Sequence, residues 1–91
     1  MKVQRSAHFA KQFQLLVRGD RPLAKQVEKT VEYLLRFPPA HPALRMKKIQ
    51  GTRDIYECSV NMDIRMTFEF SDPETILLRN IDHHDPALKR Y

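Results

Sequence analysis

The residues best suited to chemistry lie in the last third of the chain. Asp82-His83-His84-Asp85 follows a nearly continuous apolar run, Ile76 to Ile81. Imidazole exchanges protons near neutral pH, so His84, with His83 as its rival, is the candidate general acid or base. Arg65 stands in an alternating stretch, Asp63 to Phe70, where a guanidinium can clamp a phosphate through two parallel N–H bonds. Asp63 and Glu57 are carboxylates that could take a proton or orient a histidine. Arg45, Lys47, Lys48 and Arg53 form the densest basic stretch and suit phosphate contact. Arg79, within the apolar run, is either a further phosphate contact or the partner of a half-buried acid.

Each of these residues also has a plainer reading. The two histidines could be loop residues bonded to Asp82 and Asp85. Arg65 could pair with Glu57, Asp63 or Glu69. Lysines also keep an edge strand from pairing with other chains. Asp82, His83, His84, Asp85 and His41 are metal-ligand types, but adjacent ligands make a poor chelate, so no metal or other cofactor is expected. Cys58 falls on an apolar face and reads as core. Tyr91 could stack on a base, or simply fray as a terminus.

Regular elements must hold these residues. Met1 to Arg5 reads as a short strand. Ser6 suits an N-cap, and Phe9, Phe13, Leu16 and Val17 follow at helical spacing, which predicts a helix over Ala7–Arg18 with Gly19 as its stop. Asp20 is a second N-cap with Pro22 in the first turn. Leu23, Val27, Val31 and Leu34 form the stripe of a second helix, Arg21–Phe37, ended by Pro38-Pro39. Beyond the extended Pro38–Pro42 linker the period changes. Strands are expected over Leu44–Ile49 and Ile55–Val60, with Gly51–Asp54 as a turn. Asn61-Met62 would make a tight loop in which Asn tolerates positive φ. In the next strand Ile64, Met66, Phe68 and Phe70 share one face, and Asp63, Arg65, Thr67 and Glu69 the other. Asp72-Pro73 turns the chain into Ile76–Ile81. Pro86 to Tyr91 reads as a short helix or an extended arm. The class is α+β: an N-terminal strand, a helical hairpin, then an antiparallel sheet of three to four strands with helices on one face. The polar face would be left open. Antiparallel pairing through the Asp72-Pro73 turn would bring Asp82 and the histidines to the Asp63–Arg65 end.

Ninety-one residues make a single domain, 1–91, with a modest core. The net charge of +5 attracts polyanions or an acidic partner protein. The one cysteine allows no internal disulfide, which fits a reducing compartment. No segment approaches the roughly 18 apolar residues of a membrane span, and the N-terminus lacks the apolar run of a signal peptide. A cytoplasmic protein with no membrane partner is expected.

The chain resembles the RelE/ParE superfamily of bacterial toxin–antitoxin toxins. The likeness covers nearly its whole length: the strand and phenylalanine-bearing helix, a second helix ending at FPPAHP, then RMKKIQG, DIYECSVNMDIRMTFEF and ILLRNIDHHD. The DHHD ending is similar to the YafQ-like branch, and IRMTF matches the place where RelE and YoeB relatives carry an active-site arginine. Ala87 and Leu88 stand where many relatives have a tyrosine, and the central strands lack the further histidines of YafQ relatives. The resemblance implies a metal-independent endoribonuclease that cleaves mRNA, free or on the ribosome, and a cognate antitoxin as partner. His84 or His83 would be the acid or base. Arg65, Lys47 and Lys48 would steady the phosphate, with Asp63 or Glu57 orienting the site. The alternatives are a ParE-like inhibitor of DNA gyrase without nuclease activity, and an inactive relative that only binds an antitoxin.

Overall fold

The computed structural model describes residues 1–84 and Tyr91. Its elements run β1 (Lys2–Arg5), α1 (Ala7–Val17), α2 (Arg21–Leu35), β2 (Lys47–Lys48), β3 (Tyr56–Ser59), β4 (Ile64–Asp72) and β5 (Thr75–His83). Both helices start where their caps dictate. Ser6 Oγ accepts from Phe9 N at 3.0 Å and Asp20 Oδ1 from Leu23 N at 3.0 Å. Gly19, at φ 71, takes the left-handed conformation between them at little cost. The second helix stops at Leu35, two residues before the expected Phe37, because Phe37 precedes a proline and is biased away from helical backbone.

The five strands form one sheet in the order β1-β5-β4-β3-β2. Neighbours are antiparallel except β1 and β5, which run parallel with Val3 opposite Ile76. The N-terminal strand thus joins the sheet, and β5 becomes interior, as its apolar run requires. One face carries Ile64, Met66, Phe68, Ile76, Leu78 and Ile81, all buried, packed against Phe9, Leu23, Val27 and Leu34 of the helices. Cys58 lies in this core too. Burial there pushes its thiol up to about 12, and the neighbouring Glu57 charge adds to the rise.

The stretch expected as one strand over Leu44–Ile49 divides. Pro42–Leu44 is a 3₁₀ turn ending at Arg45 in the left-handed conformation, φ 47, so only Lys47–Lys48 pairs. Proline pre-sets that turn, and the left-handed residue breaks the extended run. The β3–β4 loop also differs from expectation. Asn61 is not at positive φ. Its side-chain Oδ1 instead accepts from Asp63 N and Ile64 N, both at 2.8 Å, closing the loop from within. The final strand extends to His83, so that residue ends the strand rather than following it. Asp85 and the segment from Pro86 to Arg90 lie outside the described residues.

Candidate functional site

Register fixes which side chains share the polar face, since residues directly opposite in an antiparallel pair point the same way. Lys47, Glu57, Thr67 and Asn80 form one row across β2, β3, β4 and β5. Ser59, Arg65 and Asp82 form the next. Beyond it, His84 N donates to Asp63 O at 2.8 Å. The backbone therefore brings Asp63, Arg65, Asp82 and His84 to one end of the β4–β5 hairpin. His83 pairs with Ile64, a core residue, so strand alternation sets it on the helix-side rim, where it is exposed.

The basic residues divide by the same logic. Lys47 lies on the polar face, 3.3 Å from Glu57 Oε1. Lys48 is opposite Tyr56 and turns to the other face. Arg45 precedes β2 at the end nearer Ser59 and Arg65, whereas Arg53 lies in the β2–β3 turn at the far end. Arg79 is the extra residue at a register shift, because Thr67 pairs with Asn80 and Phe68 with Leu78. This bulge turns Arg79 toward Glu69, and Nη1 meets Oε1 at 2.6 Å.

Arg65 and the middle row of the polar face have surroundings that the sequence did not reveal. Arg65 pairs with no carboxylate among the described residues. Its Nη1 donates to main-chain oxygens of Asn61 at 2.6 Å, Met62 at 3.2 Å and Ile64 at 3.2 Å, and so ties down the loop that carries Asp63. The middle of the polar face is not open: Glu57 is 2% exposed, Thr67 0% and Asn80 2%. Glu57 Oε2 and Thr67 Oγ1 are buried without a hydrogen-bond partner among the described residues. The accessible parts of the face are its ends, with the lysine rim at β2.

The sequence itself matches no protein-family model and no curated protein. Solved structures do match. A metal-bound toxin from Helicobacter pylori superposes with a TM-score of 0.78 at 24% identity, over 94% of this chain and 97% of that one. The E. coli DinJ–YafQ complex gives 0.78 at 14% identity, over 93% and 94%. A YoeB/ParE toxin from Agrobacterium tumefaciens gives 0.78 at 13% identity, over 92% and 99%. The chain has the RelE/ParE toxin fold.

Within this RelE/ParE-type fold one contribution escaped the reading from sequence. Because β1 covers only the first half of β5, ending with Arg5 opposite Leu78, α1 runs beside the second half. His8 Nε2 reaches Asn80 Oδ1 at 3.1 Å, and Gln12 Nε2 reaches Asp82 Oδ2 at 3.5 Å. Their i, i+4 spacing on α1 was the available signal, but without the parallel β1–β5 pairing nothing directs that flank to the polar face. Among the described residues no three His, Cys, Asp or Glu side chains gather in a metal-holding group.

Proposed function

We propose that this protein is the toxin of a toxin–antitoxin pair and an endoribonuclease that cleaves mRNA by attack of a 2′-hydroxyl on the adjacent phosphate. The observation that carries the reading is the convergence of Asp63, Arg65, Asp82 and His84 at one hairpin end, on a RelE/ParE-type fold. The 2′-oxygen bonds to phosphorus, the bond to the 5′-oxygen breaks, and a 2′,3′-cyclic phosphate and a 5′-hydroxyl result. One group takes the 2′-OH proton and another gives a proton to the leaving oxygen. His84 serves one of these steps, with Asp63 as the carboxylate beside it, while His83 points to the helix side. Arg65 has an N–H face left beyond Nη1 to meet the phosphorane, with Lys47 on the approach along the polar face and Lys48 at the edge beside it. Arg45 and Arg53 add positive potential for the RNA backbone, whereas the charge of Arg79 is matched by Glu69.

An antitoxin partner is supported by the fold neighbours solved as the DinJ–YafQ and YoeB–YefM complexes. A net charge of +5 favours an acidic one. The buried middle row favours one alternative, a ParE-like gyrase inhibitor that needs only an outer surface. Induced expression separates the two. Primer extension should find new mRNA 5′ ends while plasmid supercoiling stays normal. Intact mRNA with altered supercoiling would replace the nuclease reading with the inhibitor.

A further inference from the structure

A cleft of about 390 Å³ opens where β1 ends and α1 begins, lined by Ser6, His8, Leu77, Arg79 and Tyr91. It lies roughly 16 Å along β5 from His84, at about 3.3 Å per residue between Arg79 and His84. Its lining combines an aromatic ring, an aliphatic floor, an imidazole, a hydroxyl and a guanidinium. That volume falls within the range of small-ligand sites. The set suits a flat heterocycle with polar edges better than a simple anion, because Arg79 is already neutralised by Glu69 at 2.6 Å and donates through Nε to the Tyr91 main-chain oxygen at 2.8 Å. These bonds hold Arg79 in place without supplying net charge.

The hydrogen bonds around His8 fix what its ring can read. Asn80 Oδ1 accepts from Ile81 N at 2.9 Å, so this atom is the amide oxygen and not the nitrogen. An oxygen cannot donate, so His8 Nε2, 3.1 Å away, must carry the hydrogen. In the neutral ring Nδ1 is then an acceptor. Asn80 is 2% exposed and does not move easily, so the tautomer is built into the fold. Ser6 is fixed as well: its Oγ donates to Arg79 O at 3.1 Å while accepting from Phe9 N.

We propose that this cleft binds one unpaired nucleobase of the RNA strand, stacked on Tyr91, with His8 Nδ1 accepting from an exocyclic amino group. The inference rests on the ribonuclease reading for its substrate class, and it makes His8 a specificity residue. Aromatic stacking is indifferent to base identity and is worth about 1–3 kcal/mol per base. The acceptor therefore decides. At the corner of the base carrying its exocyclic group, adenine (N6) and cytosine (N4) present an amino donor where guanine (O6) and uracil (O4) present a carbonyl oxygen, which Nδ1 cannot accept from.

The test uses the full chain and 5′-AMP, 5′-CMP and 5′-UMP as probes, with binding read from the His8 and Tyr91 side-chain NMR signals. AMP and CMP should bind several-fold more tightly than UMP. His8→Ala should remove that preference while leaving weak, base-indifferent binding, and His8→Gln should restore part of it, because an amide also offers an acceptor. Tyr91→Ala should weaken all three nucleotides together. Equal binding of the three by the native chain overturns the proposal, as does a preference that survives His8→Ala. His8 is exposed, so its replacement leaves the core intact. Nucleotide preference in a chain that cuts no RNA would sink the nuclease reading and keep the cleft. RNA cleavage with no such preference would do the reverse.

Discussion

Arg65 is drawn to the carbonyls of its own loop: Asn61 Oδ1 takes the Asp63 and Ile64 N–H groups, which leaves the Asn61 and Met62 oxygens as acceptors close by, while Ile64 O is shared with Val60 N. Its removal therefore has two consequences. Arg65→Ala should lower stability by about 1–3 kcal/mol, the usual cost of orphaning partners of a charged donor, and reduce RNA cleavage as well. His84→Ala should reduce cleavage too; chemical denaturation of Arg65→Ala beside a cleavage assay of both variants checks these outcomes. Thr67 gives a second residue-scale outcome. Its hydroxyl is buried and unpartnered among the described residues, so Thr67→Val should be neutral or stabilising by up to about 1 kcal/mol in thermal melts. A drop in activity without a drop in stability would instead mean that substrate meets the hydroxyl. Cys58 supplies a third. A thiol raised to about 12 in the fold, against 9.0 ordinarily, stays protonated when the unfolded thiol ionises. Its contribution is complete below pH 9.0 and is lost as pH rises toward about 12. Thiol reagents at pH 8 should label the protein only at the rate of unfolding, and Cys58→Ala should flatten the alkaline decline in stability.

At the scale of elements, the helices were legible because their signals are local. Ser6 and Asp20 cap them, Gly19 separates them, and the Leu23, Val27, Val31, Leu34 stripe has a single plausible period. The alternation in β4 likewise told which residues face the helices, since a period of two admits two registers and only one buries Ile64, Met66 and Phe68. What was not legible depends on distant pairing. Nothing in Lys2–Arg5 announces a parallel partner at Thr75–Leu78, and that pairing is what sends α1 along β5 and brings His8 and Gln12 to the rim. The bulge at Arg79 was invisible for the same reason, since it exists only in the register with Thr67 and Phe68. Ser6 joins both kinds of information, capping α1 and bonding Arg79 O across the strands. Ser6→Ala should therefore cost more than Asp20→Ala, whose side chain caps a single helix; the latter should lose about 1 kcal/mol, as measured by urea unfolding.

At the scale of the whole molecule, the fold concentrates its options at two ends of one face. The middle row, Glu57, Thr67 and Asn80, is sealed, and among the described residues its charge contact runs out to Lys47, whose side chain is 67% exposed. Substrate would thus approach along the lysine rim and meet the hairpin end, where Asp63, Arg65, Asp82 and His84 converge. Antiparallel pairing through the Asp72–Thr75 turn is what produces that convergence, and it followed from the sequence once the two strands were placed. The roles given to the converging side chains stand or fall on chemistry. The most direct measurement is the end-group analysis of a defined RNA incubated with the purified protein and with His84→Ala. A 2′,3′-cyclic phosphate on the upstream fragment, with its yield falling at least a hundredfold in the variant, is the predicted result. Undiminished cleavage by His84→Ala, or a 5′-phosphate on the downstream fragment, would contradict it.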